Sequence, residues 1–229
     1  MIQIEGVSHR YGDREVLSDL DLSLVEDRVG IIGANGSGKS TLARLLNGLV
    51  VPSTGRVLVD GMDTAHDGAG VRRKVAFVFS DPDAQIVMPT VAEDVSFSLR
   101  RHGLGKEEVA DRVRDVLARF GLGGHEDQPA HLLSSGQKQL LALASVLVTE
   151  PEVLVCDEPT TLLDLRNSRH VAELLDGLPQ RVVMVTHDLE LLRGWRRVLV
   201  IDAGRVVADG PAEQSIGHYE ALMVAARPC

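Results

Sequence analysis

The chain has 229 residues, 44% hydrophobic and 25% charged, enough for one substantial core with a lobe inserted into it. Net charge is −9, from 24 basic and 33 acidic residues, and only 3% of the chain is aromatic. That balance argues against a nucleic-acid partner, because it supplies neither a basic face nor platforms for stacked bases. The opening residues, MIQIEGVSHRYGD, lack a basic segment followed by an apolar run, so no secretory leader is expected. The most apolar window, Leu140 to Val148, is about half of what a membrane span requires. Cys156 sits in an apolar run and Cys229 is the last residue, so no structural disulfide is expected and the chain reads as intracellular.

In chain order, strand-like runs come first: IQIEGV, LDLSLV and RVGII, the last leading into a glycine-rich loop. TLARLLNGL reads as a helix, GRVLVDG as a hairpin strand, and KVAFVF at 74–79 as a further strand. Then the period changes. Val109, Val113, Val116, Leu117 and Phe120 share one helical face, predicting an amphipathic helix over 106–120 that Gly121 ends. A second helix is predicted from about Ser135 to a stop before Pro151. Strands return as VLVCD at 153–157, RVVMVT at 181–186 and RVLVID at 197–202, with DLRNSRHVAELLDGL helical between the first two. Buried parallel strands alternating with helices predict an α/β core, and 85–150 reads as a helical lobe inserted into it.

Residues 33–41, GANGSGKST, match G-x-x-x-x-G-K-[ST] between a predicted strand and a predicted helix. Gly33, Gly36 and Gly38 let backbone N–H groups turn inward around phosphate oxygens, with Ala34, Asn35, Ser37 and Thr41 completing the loop. The positive end of the following helix adds attraction. Lys39 is suited to reach the β- and γ-phosphates, and the Ser40 hydroxyl is a candidate Mg²⁺ ligand. Such a loop needs a second metal ligand and a group that orients the attacking water. VLVCDEPT supplies candidates for both: Asp157 for Mg²⁺, and Glu158, one residue further out, as general base. His187 ends another strand and is placed to contact the γ-phosphate.

LLSSGQKQLLALASVLVTEP, upstream of VLVCDEPT, narrows the family. Leu133-Ser134-Ser135-Gly136-Gln137 resembles the L-S-G-G-Q signature of ABC-type ATPases, and the resemblance covers nearly the whole chain in family order. It implies a P-loop NTPase (RecA-like) core with N-terminal antiparallel strands and an inserted α-helical subdomain, all one ABC-type domain over 1–229. It implies that Tyr11 stacks on adenine, that Asp164 occupies the D-loop and that His187 is the switch histidine. It further implies two chains facing head to tail. Each ATP would lie between one P-loop and the signature of the other chain, where Ser134 and the Gly136 N–H touch the γ-phosphate. Two departures stand out. Ser135 replaces the first signature glycine, and Ser80 stands where most relatives carry a glutamine that reaches toward Mg²⁺ and water. Serine is shorter by roughly 2.5 Å, most of a hydrogen-bond length, so Ser80 needs a bridging water or a backbone shift, with Gln85, five residues on, as the candidate substitute.

After the turn at Ser80-Asp81-Pro82-Asp83 comes the apolar triplet Ile86-Val87-Met88. In ABC importers this segment borders a groove that receives a short helix of a membrane subunit, and Met suits a surface that must adapt its packing. The alternative is that the triplet folds back as local core. The pattern P-D-x-Q…P-T-V-x-E-D-V resembles energy-coupling-factor importers of vitamins and transition-metal ions, with Glu93 and Asp94 close to the membrane partner. The S-S-G-Q signature and the Ser/Asp-Pro-Asp variant look most like the biotin-uptake branch. The resemblance therefore implies an ATP-hydrolysing importer subunit, a homodimer, peripheral on the cytoplasmic face of the cell membrane, with ATP and Mg²⁺. Cobalt or nickel uptake, an exporter and a soluble ABC ATPase are the competing readings.

Overall fold

Short β-branched runs and a long N-terminal hairpin divide the strands between two sheets. The computed structural model describes residues 1–225, and Cys229 lies outside them. The first sheet contains β1 (Ile2–Tyr11) and β2 (Arg14–Leu24), paired antiparallel. Next come β3 (Arg28–Ile32) and α1 (Lys39–Leu46), then β4 (Thr54–Val59) and the two-residue β5 (Met62–Asp63). β4 and β5 complete the antiparallel sheet in the order β2-β1-β4-β5. α2 (Gly68–Lys74) and β6 (Val75–Val78) return the chain to the core, and the helical segment follows: α3 (Val91–Leu99), α4 (Lys106–Arg119) and α5 (Ser135–Leu147). β7 (Val153–Asp157), α6 (Leu165–Asp176), β8 (Arg181–Val185), β9 (Arg197–Asp202), β10 (Arg205–Gly210) and α7 (Ala212–Ala225) close the chain.

The second sheet runs β10-β9-β3-β8-β7-β6, parallel except for its β10 edge. Every residue of β7 is buried, as a strand covered on both faces requires. One core joins the inner faces of both sheets to α1 through Leu17, Val57, Leu42 and Val155. The other lies on the opposite face of the parallel sheet, where Leu117, Phe120 and Leu141 of the helical segment meet Leu154 and Val182. Among the described residues, no helix is long and apolar enough to cross a membrane.

Register decides where the chemistry collects. Ile31 of β3 pairs with Val185 of β8, and Val185 pairs with Asp157 of β7. The three carboxyl ends therefore form one row, and the segments beyond them share one edge of the sheet, where α/β sheets place their ligands.

The predicted strands and major helices are present, with shifted ends. α4 occupies 106–119, and Gly121 adopts φ +69° just past its end. α1 begins at Lys39 instead of Thr41, since the glycine-rich loop itself forms its first turn. α2 answers to no sequence pattern: Val71 is its one buried residue.

Candidate active site

Between β3 and α1 the chain turns back on itself, with Ser37 N donating to the Ala34 carbonyl at 3.2 Å. Gly33 has φ +151°, and a Cβ there would collide with the Ile201 carbonyl oxygen. Gly38 has φ +109°, and its Cβ would lie 2.7 Å from the Leu17 side chain. The glycines are thus fixed by neighbouring protein as well as by room for a phosphate. Asn35 and Gly36 form the exposed rim, whereas Ser37 and Thr41 are buried. The buried Ser37 hydroxyl has no hydrogen-bond partner, an orphaned donor in the loop that fits a phosphate oxygen.

Lys39 is buried and donates to the carbonyls of Gly33 and Ala34 at 2.7 and 2.9 Å. Burial lowers its pKa, while Glu158 and Asp157 push the other way. Ser40 Oγ donates to Asp157 Oδ1 at 2.8 Å, joining the loop to the end of β7. Burial raises the Asp157 pKa against the Ser40 hydrogen bond and the Arg44 guanidinium, whose Nη2 stands 3.8 Å from Oδ2. A buried carboxylate and a hydroxyl sharing one short hydrogen bond are an oxygen donor set suited to Mg²⁺.

Glu158 leaves β7 in a left-handed conformation, φ +55°, with its N–H on the Val185 carbonyl. That twist carries its carboxylate across to β8. Oε2 accepts from His187 N at 3.2 Å and from Thr161 Oγ1 at 3.3 Å, and stands 2.7 Å from His187 Nδ1. Tyr11, at the end of β1, is half exposed, its ring edge-on to His9 with centroids 4.6 Å apart.

The signature stands elsewhere. Ser134 caps α5 in a reciprocal capping box: its Oγ accepts from Gln137 N, and Gln137 Oε1 accepts from Ser134 N. Ser134 and Ser135 are exposed and Gly136 is buried. Among the described residues, none of the four hydrogen-bonds to the phosphate loop. Asp164 caps α6 by accepting from Asn167 N at 2.8 Å, and a Cβ on Gly136 would lie 2.9 Å from the Asn167 carboxamide. The D-loop position and the signature are therefore neighbours within one chain.

Gln85 is committed. Its Oε1 accepts from Phe79 N at 3.1 Å and its Nε2 donates to the Ala142 carbonyl of α5 at 3.0 Å. Its amide ties the loop to the helical segment, which leaves half-buried Ser80 as the polar side chain at the glutamine position. The triplet divides: Ile86 packs on the core, while Val87 is 63% exposed. Asp94 is buried, so it does not present a charge to a partner as the sequence suggested. It accepts from Val87 N and Met88 N at 2.8 and 3.0 Å, and from Ser145 Oγ at 2.8 Å. Glu93 spends its side chain on the Thr90 capping box. Sequence reasoning passed over Arg44, Thr161, Asn167 and Ser145. Arg44 alone was findable, one helical turn beyond Ser40.

Residues 17–161 match the ABC transporter family. A protein of Deinococcus radiodurans assigned by name to ABC transporter ATP-binding proteins is 54% identical over 97% of this chain and 99% of its own. The biotin transport ATP-binding protein BioM of Rhizobium etli is 48% identical over 96% of this chain and 98% of its own. Among solved structures, CbiO1 of Clostridium perfringens, part of the CbiONQ ABC transporter complex, superposes with TM-score 0.84 at 32% identity, covering 98% of this chain and 93% of that one. A dimeric post-hydrolysis structure of the ATP-binding cassette MJ0796 with ADP and Pi gives TM-score 0.80 at 27% identity, covering 93% and 99%. Phosphate loop, acidic strand end and capped signature thus occur together on the fold of known ATP-binding cassettes, and the chain belongs to the ABC transporter family as one of its ATP-hydrolysing subunits.

Proposed function

We propose that the chain is the ATPase of an energy-coupling-factor importer that takes up a vitamin, biotin. The observation that carries the substrate is the 48% identity, over nearly the full length of both chains, to a protein named for biotin transport. In this reading the triphosphate lies against the N–H groups of 33–41, with Lys39 neutralising the β- and γ-phosphates and Tyr11 under the adenine. Ser40 and Asp157 hold Mg²⁺, which supplies positive charge on the phosphate oxygens. Glu158 takes the proton of the attacking water as the new O–P bond forms and ADP leaves with the bond electrons. His187, already on the Glu158 carboxylate, orients that base and faces the γ-phosphate.

Ser134 to Gln137 complete the site of a second chain, with Asp164 at the seam between the two. Every motif is present in this sequence, so a homodimer carries two competent sites. ATP closes the pair and hydrolysis opens it. The exposed part of 86–88 takes the membrane subunit, and the chain lies peripherally on the cytoplasmic face of the membrane. Affinity capture of the tagged chain from detergent-solubilised host membranes should recover a multi-span protein, and the host strain should lose labelled biotin uptake when Lys39→Ala replaces the chain. Val87→Asp should abolish capture and spare ATP binding, Val87 being the exposed member of the triplet. Unchanged biotin uptake with Lys39→Ala, alongside lost cobalt or nickel uptake, would transfer the function to a metal ion. Capture of ribosomal protein or nucleic acid from the cytosol alone would overturn the importer reading.

A further inference from the structure

The hairpin that ends in Tyr11 also carries an arginine. β1 stops at Tyr11, β2 starts at Arg14, and the two are register partners across the turn at Gly12 and Asp13. Residues directly opposite in an antiparallel pair project from the same face. Arg14 is exposed, and its guanidinium reaches the phosphate loop. Nη2 stands 3.9 Å from the position that a Cβ on Gly36 would take. No other heavy atom beyond the adjoining residues comes within 4 Å of that point. Gly33 and Gly38, by contrast, are closed in by Ile201 and Leu17. At Gly36 the rim is open, with one cation beside it.

That cation is free. Among the described residues, no carboxylate lies within ion-pair distance of Arg14. Glu15, the adjacent acid, stands 3.7 Å from Arg10 Nη1, and the Asp13 carbonyl accepts from Arg10 Nη2 at 2.7 Å. The hairpin therefore engages Arg10 and leaves Arg14 without a partner charge. Inside the site the charges already cancel. Lys39 is buried among the Gly33 and Ala34 carbonyls, Arg44 stands beside Asp157, and Asp157 with Glu158 matches the two cations. Those four side chains bring no net charge to a polyanionic triphosphate. Arg14 adds a positive one, as a planar fork of N–H donors that matches phosphate oxygens.

We propose that Arg14 is a further nucleotide-binding residue, its guanidinium donating to phosphate oxygens of ATP at the open rim beside Gly36. The proposal rests on the reading that Tyr11 and residues 33–41 hold ATP. Calorimetry on the full chain measures the affinity for ATP and for inorganic tripolyphosphate, both with Mg²⁺. Arg14→Gln should weaken both by about 10-fold, because the lost charge-assisted bonds go to phosphate and not to the base. Arg14→Lys should recover part of the loss, keeping the charge without the fork, a recovery that a misfolded hairpin would not give. Tyr11→Ala should weaken ATP alone. Unchanged ATP affinity in Arg14→Gln would overturn the proposal. So would weaker ATP binding with tripolyphosphate unaffected, which would make Arg14 a support for the Tyr11 hairpin. Lys39→Ala separates the two ideas. Wild-type affinity in that variant would overturn the loop reading and the proposal together, whereas a weakened Lys39→Ala beside an unchanged Arg14→Gln would overturn the proposal alone.

Discussion

Glu158 sits at φ +55°, a region that costs a residue with a Cβ about 1–2 kcal/mol. The strain persists because the carboxylate at the end of that twist is held by His187 and Thr161. Glu158→Gly should therefore raise the unfolding free energy by about 1 kcal/mol in urea titrations while turnover is lost. Glu158→Gln should bind ATP as the wild type does and hydrolyse it on the order of 10²–10⁴-fold more slowly. Normal turnover in the Gln variant would remove the base assignment. At this scale the phosphate loop was readable in sequence, because glycine spacing and phosphate chemistry impose the same pattern. Gln85 and Asp94 were not. Their partners, Ala142 and Ser145, lie far along the chain, and no local spacing encodes a bond to a distant helix.

Helices α3 and α5 and the 79–88 loop are tied together by those two side chains. Gln85 pins the loop to α5, and Asp94 pins the triplet backbone and receives Ser145 of the same helix. Since α5 begins at the signature, a shift of Ser134 against a partner's nucleotide would be carried to Val87 with little slack. Asp94→Ala leaves two N–H groups and a hydroxyl unpaired in a buried site, and should cost about 3 kcal/mol in urea denaturation. Ser145→Ala should cost about 1 kcal/mol, and the double variant less than the sum, since they share one hydrogen bond. Strict additivity would mean that this bond does not connect the two elements. Amphipathic α4 was legible because five apolar residues repeat at helical spacing, while α2 was not, with Val71 its single buried contact.

The whole molecule places its chemistry by register: Ile31, Val185 and Asp157 align across β3, β8 and β7, so loop, histidine and acidic pair share one edge. Sequence predicted the parallel strands but not their order, which depends on crossovers that no strand records. The family resemblance, not any spacing in the sequence, carried the expectation that the signature meets the phosphate loop of another chain. In the structure the exposed Ser134 side chain hydrogen-bonds only within its own capping box, and no bond joins Ser134 to residues 33–41 among those described. In the proposed function a second chain supplies its nucleotide. The most direct test is sedimentation equilibrium of Glu158→Gln at saturating ATP. A monomer that becomes a dimer with ATP, and stays monomeric when Ser134→Arg is added although ATP still binds, is the predicted result. A Glu158→Gln chain that saturates with ATP and remains monomeric would contradict the account.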